Sequence, residues 1–461
     1  MPSLALKPNL NVKLPLAGRR AHNLVGLDIQ PGYIAAVQAH VNGGIAVQHA
    51  AGAPLAPDAL REGEVLDERT LSDALRELFA DGRLGKRVRI GLANQRTVLR
   101  TLELPPVTDR KELAAAVRFQ AEDQVPMPLA SAVLDFHSLG IFDTPEGPRQ
   151  RVIVVAAQRE MVERLLRAVR HAGLRPEGVD LSAFALIRSL YQAGAADSST
   201  ERVLYLNVGG LTNMAIAEGT VCRFTRVVGG GLEAMASEIA ERRGIPLVEA
   251  RAVLAAYDIG RPLPAPAAPV PVAPPAPTAD PASAESPAEE EPLVDFHAGF
   301  GATPEDASAE LPPAPAPVET WALAQDPSGE TASATADQPQ VSQPVAAQAE
   351  PPRSEGPAGA RSAAADPEVR LVLENGIREI VGEVRNSLDF HRSQDGGGEV
   401  TSVVLSGPAL EMAGFAETLE TDLGLAVRRQ SVRGVDGSAF ASVSADRLAI
   451  AAGLAAEVVP G

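Results

Sequence analysis

The chain has 461 residues, too many for one ordinary hydrophobic core, so at least two domains with accessory pieces are expected. Its 45% apolar content allows real cores although only 3% of residues are aromatic, and the single Cys222 excludes an internal disulfide or a Cys-rich metal site. The net charge of -18 is concentrated: sixteen acids face two bases, Arg353 and Arg361, between Pro262 and Asp366, and without a basic patch interleaved with aromatics nucleic acid is not expected as a partner.

In chain order, Met1 to Arg20 carries Lys7, Lys13, Arg19 and Arg20 and no acid. It reads as a frayed basic leader with at most a weak attraction to anionic lipid. No apolar run approaches the roughly 20 residues of a membrane span, and no secretory core is present; the sequence reads as a soluble cytoplasmic protein.

The stretch LVGLDIQPGYIAAVQAHVNGGIAV, Leu24 to Val47, then gives an apolar strand reaching Asp28, a glycine-bearing turn and a second strand to Ala39. A turn at Asn42-Gly43-Gly44 leads into a third strand. Leu71 to Phe79 is an amphipathic helix (Leu71, Leu75, Leu78) and Val88 to Leu92 a buried strand. Arg151 to Ala157 is another buried strand, and Gln158 to Ala172 a helix closed by Gly173.

VLYLNVGGLTNMAIAEGTVCRFTRV, Val203 to Val227, repeats the first meander with Asn207 in place of Asp28 and a turn at Glu218-Gly219-Thr220. Gly229-Gly230-Gly231 opens a helix from Leu232 to Arg243. Two such meanders joined by alternating strands and helices imply a duplicated α/β fold with a ligand cleft at the carboxyl ends of the strands. In such a cleft each first turn offers backbone N–H groups to phosphates, and an adjacent aspartate holds a hydrated magnesium ion.

Residues 262 to 366 are rich in Pro, Ala, Ser and Glu and read as a disordered insertion. It is interrupted by the islands LVDFHAGF and VETWALA, which hold short docking motifs or simple drift. The seven histidines show no metal-ligand spacing.

FQAEDQVPMPLASAVLDFHSLG, Phe119 to Gly140, carries the most specific signal. It is flanked by VLRTLELPPVTDRKEL and VIVVAAQREMVERLLRAVRHAGLRPEGVDLSAFAL, and LDFHRSQDGGGEVTSVVLSGPALEMAGFAETLETDLGL follows near the C-terminus. Together these resemble the actin-like ATPase superfamily and, within it, the PilM family of type IV pilus assembly proteins, relatives of the division protein FtsA.

The resemblance implies a duplicated actin-like (ribonuclease H-like) α/β fold. It divides the chain into a leader 1–22; subdomain 1A, 23–100 plus 173–200; an inserted α+β subdomain 1C, 101–172; subdomain 2A, 201–228 plus 399–461; subdomain 2B, 229–261 plus 367–398; and the 262–366 insertion. It also implies a groove for the short cytoplasmic tail of PilN, an inner-membrane pilus protein. The residues carried over for that groove are Phe119, Val125, Pro126, Pro128 and Leu129, of which Phe119, Val125 and Leu129 are also expected to pack the subdomain.

For ATP and magnesium the implied residues are Asp28, which also holds the metal through water, with Gln30, Gly32, Asn207, Gly209, Gly210, Gly230, Gly231 and Gly407. The family pattern is broken in each loop. Gln30 and Pro31 replace Gly-Ser, Ala35 or Ala36 stands for a lysine, Asn207 for an aspartate, and Ser406-Gly407-Pro408-Ala409 for Ser-Gly-Gly-Gly. Asp180 lies near the water-orienting position, with a helix N-cap role for it or Ser182 as the competing reading.

The expectation is therefore an adaptor at the inner face of the cell membrane that holds a PilN-like tail and links platform and motor proteins. ATP is at most a structural or regulatory ligand and hydrolysis is not expected. The alternatives are an active ATPase regulating pilus assembly, or an FtsA-like division or cytoskeletal protein. The ending ADRLAIAAGLAAEVVPG, with Arg447 its sole base, disfavours the latter.

Overall fold

The computed structural model of the chain describes residues 24–41, 44–192, 201–261, 366–394, 397–440 and 442–456. The leader 1–22, Asn42 and Gly43 of the turn before the third strand, both aromatic islands and the insertion up to residue 365 lie outside the described residues.

Strands β1 (Leu24–Gln30), β2 (Tyr33–Val41) and β3 (Ile45–Pro54) form the first antiparallel meander. The short pair β4 (Leu60–Arg61) and β5 (Glu64–Val65), helix α1 (Glu68–Leu78) and β6 (Arg87–Leu92) follow. An inserted unit comprises β7 (Val98–Leu104), α2 (Arg110–Gln124), β8 (Ala132–Thr144) and β9 (Gly147–Gln158). The chain then returns through α3 (Arg159–His171), β10 (Arg175–Leu181) and α4 (Ser182–Leu190).

The second half repeats the plan with β11 (Arg202–Val208), β12 (Thr212–Glu218), β13 (Val221–Val228), α5 (Leu232–Arg243), α6 (Leu247–Ala255) and α7 (Pro367–Ser393). It ends with β14 (Val400–Ser406), α8 (Phe415–Leu423), β15 (Val427–Arg429), β16 (Arg433–Gly434) and α9 (Ala449–Ala455). The larger sheets run β10-β6-β1-β2-β3-β16 and β13-β12-β11-β14-β15. Apart from β16, each is an antiparallel meander extended by two parallel strands beside its first strand. The duplication read from the two meanders is thus a duplication of topology.

Alternation decides which side chains meet which layer. Val25, Leu27 and Ile29 of β1 enter a core with Leu71 and Leu75 of α1. Leu204, Leu206 and Val208 of β11 enter the equivalent core with α5, α6 and α7. The opposite faces of both sheets share a third core with α4 and α9, rich in alanine.

Backbones touch there: a Cβ on Gly26 would lie 1.9 Å from the Ala451 carbonyl oxygen, and one on Gly453 1.8 Å from that of Ala185. Two arginines seal the end of α9, Arg188 donating to Gly453 O (2.6 Å) and Arg89 to Ala456 O (2.8 Å), where cations complement the helix dipole.

Three sequence expectations change. Met161, Val162 and Leu165 of α3 pack in the core of α1, so α3, placed at the end of the insertion, is part of the first lobe and the inserted sheet closes at Gln158. Residues 433–434 pair with β3, and α9 packs on the first sheet, so the C-terminal segment crosses back from the second lobe. Asp366, counted with the insertion, is the N-cap of α7: its carboxylate accepts from the Glu368 N–H (2.9 Å), and Pro367 holds the first helical position.

Candidate functional site: the interlobe cleft and the inserted subdomain

On β1 the face that carries Gly26 toward α9 carries Asp28 and Gln30 to the strand end, and Asp28 and Gln30 are both buried. Gln30 pairs with Tyr33 across a two-residue turn of Pro31 and Gly32, the latter at φ +88, as in a type II turn. Gln30 Nε2 donates to Asp28 Oδ2 at 2.8 Å. Burial lifts the Asp28 carboxyl to about 7, the bond from Gln30 opposing it.

The equivalent turn of the second lobe lies directly against this one. A Cβ on Gly209 would stand 2.4 Å from Gln30 Oε1, one on Gly210 2.0 Å from the Pro31 carbonyl oxygen, and one on Gly231 2.8 Å from the carbonyl oxygens of Gly209 and Gly210. The Gly209 N–H donates to Leu211 O (3.0 Å), and the first amide of α5, Leu232 N–H, donates to Gly209 O (2.8 Å). At the third loop the Gly407 N–H donates to Asp446 O (3.1 Å). The amides of Gly209, Leu232 and Gly407 are thus turned toward neighbouring carbonyls.

Asn207 Nδ2 donates to Ser406 Oγ at 3.0 Å, while Asn207 Oδ1 and Gln30 Oε1 have no hydrogen-bond partner among the described residues. Arg251 of α6 forms a forked pair with Glu233 of α5 (Nε to Oε2 2.8 Å) and reaches the first lobe at Leu55 O (3.2 Å). Arg447 forks onto Glu411 (Nη2 to Oε2 2.6 Å) and lies 5.5 Å from the centre of the Tyr33 ring. Between these pairs a cavity of ≈ 90 Å³ is bounded by Leu254, Pro408 and Met412.

Asp180 does a different job from the one expected of it. Its Oδ2 takes Arg188 Nη2 at 2.7 Å and its Oδ1 the Leu181 N–H at 2.8 Å, so it aims the arginine that seals α9. Neither Asp180 nor Ser182 caps α4, whose N-cap is Leu181 without a side-chain bond.

In the inserted unit, Leu113, Val117 and Ala121 form the buried face of α2 against Val152, Val154 and Ala156 of β9 and Leu102 and Leu104 of β7. Phe119 was expected to pack this core and does not: it lies on the far side of the helix and is 78% exposed. Val125 is buried and ends the helix through its N–H to Ala121 O (2.9 Å). The turn that follows leaves Pro126 and Pro128 exposed and Leu129 half-buried against the same core.

A family model described as type IV pilus assembly protein PilM matches residues 26–261, more than half of the chain. The chain belongs to the PilM family. A solved structure described as the PilM–PilN type IV pilus biogenesis complex has the same fold, with a TM-score of 0.61 at 21% identity over 95% of this chain and 98% of that one. Weaker likenesses include the ethanolamine utilization protein EutJ from Carboxydothermus hydrogenoformans (TM-score 0.42, 13% identity, 94% and 88% covered). MreB 5 of Spiroplasma citri bound to AMPPNP gives 0.40 at 10% identity over 93% and 94%. The fold is the duplicated actin-like α/β architecture, with the inserted α+β unit of the PilM family.

Mg-ATP, the group this fold implies, does not fit the cleft as the residues stand. Ligand pockets start at roughly 300 Å³, several times the cavity here. Gln30 Oε1 and Asn207 Oδ1 are acceptors, as phosphate is, and the unpartnered donors beside them, Thr212 Oγ1 and Asn213 Nδ2, lie on β12, across the strand pair from Val208 and Asn207. Ala35 and Ala36, the two positions carried over for a PilM-type lysine, are fully buried in opposite cores. Among the described residues no group of three or more His, Cys, Asp or Glu is placed to hold a metal.

Arg251, Glu233, Arg447 and Glu411 were not anticipated at the cleft. Arg251 and Glu233 sit on consecutive helices whose packing angle the sequence does not encode. In the sequence Arg447 shows only as a base near the C-terminus.

Proposed function

We propose that this chain is an adaptor of type IV pilus assembly that works at the inner face of the membrane. It captures the cytoplasmic tail of a PilN-like inner-membrane protein on its inserted subdomain and links the pilus platform to its motor. The observation that carries this is Phe119: a large apolar side chain 78% exposed on a helix whose own core is complete without it, with Pro126 and Pro128 also exposed just beyond the helix end. An exposed aromatic beside rigid proline turns is suited to anchor a short peptide. The PilM family and the shared fold of the PilM–PilN structure supply the partner class. No helix among the described residues is long and apolar enough to cross a membrane, so attachment through such a partner is in keeping with the reading.

In this reading the interlobe cleft performs no catalysis, and ATP with magnesium has at most a structural or regulatory part. The ATPase alternative asks for free amides and room for three phosphates; the spent donors and the abutting turns favour the adaptor.

The test is titration of the full chain with a synthetic peptide of the cytoplasmic tail of its cognate PilN. Phe119→Ser is expected to weaken binding about tenfold or more while leaving the unfolding midpoint unchanged, since the side chain packs little. Failure of the wild-type chain to capture the tail, or undiminished binding by Phe119→Ser, removes this site.

A further inference from the structure

We infer that the cleft of this protein is filled by its own chain: the Gln30 side chain and the Pro31 carbonyl occupy the interval between the two facing turns, so the lobes are held closed without a ligand and neither ATP nor ADP binds. This goes beyond a weakened nucleotide site, and it does not depend on the tail-capture reading.

Three independent features lead to it. The first is steric. Gly209, Gly210 and Gly231 each sit where a single added carbon would collide with the opposite turn or its neighbour, at 2.4, 2.0 and 2.8 Å. Glycine at these positions serves contact between turns, whereas in a phosphate loop it admits an anion.

The second is hydrogen bonding. Amides of Gly209, Leu232 and Gly407 already donate to carbonyls within the protein, and Pro31 has no N–H to give. Binding a triphosphate would break these bonds and expose the carbonyls to an anion.

The third is charge. Arg251 and Arg447, cationic side chains bordering the cavity, are each forked onto a carboxylate, Glu233 and Glu411. The pairing leaves little net positive charge there to offset that of phosphates.

Arg251 additionally ties α6 to Leu55 O in the first lobe, and Gln95, which follows β6, lies against Gly229 of the second. These contacts close the cleft by the work a shared ligand does elsewhere: each bridges the two halves and is lost when they part.

Two measurements decide. Full-length wild-type protein is incubated with millimolar Mg-ATP or Mg-ADP, desalted and assayed for retained nucleotide, with thermal unfolding recorded in parallel. No retention and a midpoint unmoved within about 1 °C are expected; stoichiometric retention, or a rise in midpoint with nucleotide, overturns the inference.

The second is a double-mutant cycle. Gly209→Ala is expected to lower the midpoint by roughly 5 °C in the wild-type background and by less than half as much when Gln30→Gly has vacated the opposing volume. Equal losses in both backgrounds show that the turns do not touch and overturn it. The retention assay needs no variant, so it stands even where Gly209→Ala yields no folded protein, and tail capture by the same preparation reports on the adaptor reading separately.

Discussion

At the residue scale, Asp28 shows how the same side chain changes its chemistry with its neighbours. In a hydrated turn it is a carboxylate available to a metal; here it is buried and hydrogen-bonded by Gln30, and its carboxyl is raised from 3.8 to about 7. Between those values the folded chain keeps a proton that the unfolded chain has released, so the contribution of Asp28 to stability is greatest below about pH 4 and declines as pH rises to 7.

Asp28→Asn keeps an acceptor for Gln30 and abolishes the titration. Urea unfolding is expected to find the variant more stable than wild type at pH 8, on the order of 1–3 kcal/mol, with the gap narrowing at pH 5. A variant weaker than wild type at pH 8 would mean that the charged form is the one the fold needs.

The substitutions themselves stand in the sequence: Gln30 and Pro31 for Gly-Ser, and Asn207 for an aspartate. What they do instead does not, because the partners of Gln30, Gly209 and Gly210 lie about 180 residues apart in the chain and meet only across two sheets. Phe119 illustrates the opposite error. Carried over for the groove, it was also expected to pack the subdomain, yet Leu113, Val117 and Ala121 already fill the inward stripe of α2, and a residue two positions from Val117 faces away.

At the scale of elements, local signals read well where they are covalent or capped. The meanders, α3 closed by Gly173 at φ +79, and α5 over Leu232–Arg243 agree with the pattern of apolar spacing and glycine. The start of α7 does not. Asp366-Pro367 is a helix-opening pair, but it follows a long Pro- and Ala-rich run whose composition overrode it.

In the structure the Asp366 carboxylate accepts from Glu368 N–H and also pairs with Arg243. Asp366→Ala is therefore expected to cost about 1–2 kcal/mol of stability. Hydrogen exchange should locate the loss in the first turn of α7; a loss spread evenly over the lobe would place the role of Asp366 elsewhere.

At the scale of the whole molecule, α4 and α9 are wedged between the two sheets in an alanine-rich core. Small side chains let backbones approach. Gly453→Ala puts two physical effects in opposition. Helix propensity favours alanine by about 1 kcal/mol, while the added carbon would meet Ala185 O at 1.8 Å, an overpacking cost of about 3 kcal/mol. A net loss is expected, with amide protection falling together in β2 and β12, since both strands abut this core; a net gain would show that α9 is free to shift.

By itself the sequence determined the duplicated α/β architecture, the inserted unit, the PilM family and which residues stand in each loop, because strand period, glycine turns and residue identities are properties of neighbouring residues. Only the tertiary structure decided that the two facing turns press on one another, that Phe119 faces outward, that Asp180 serves the end of α9, and that α9 returns to the first lobe. Those are relations between segments far apart in the chain, set by how two sheets and their helices pack, and no local pattern carries them.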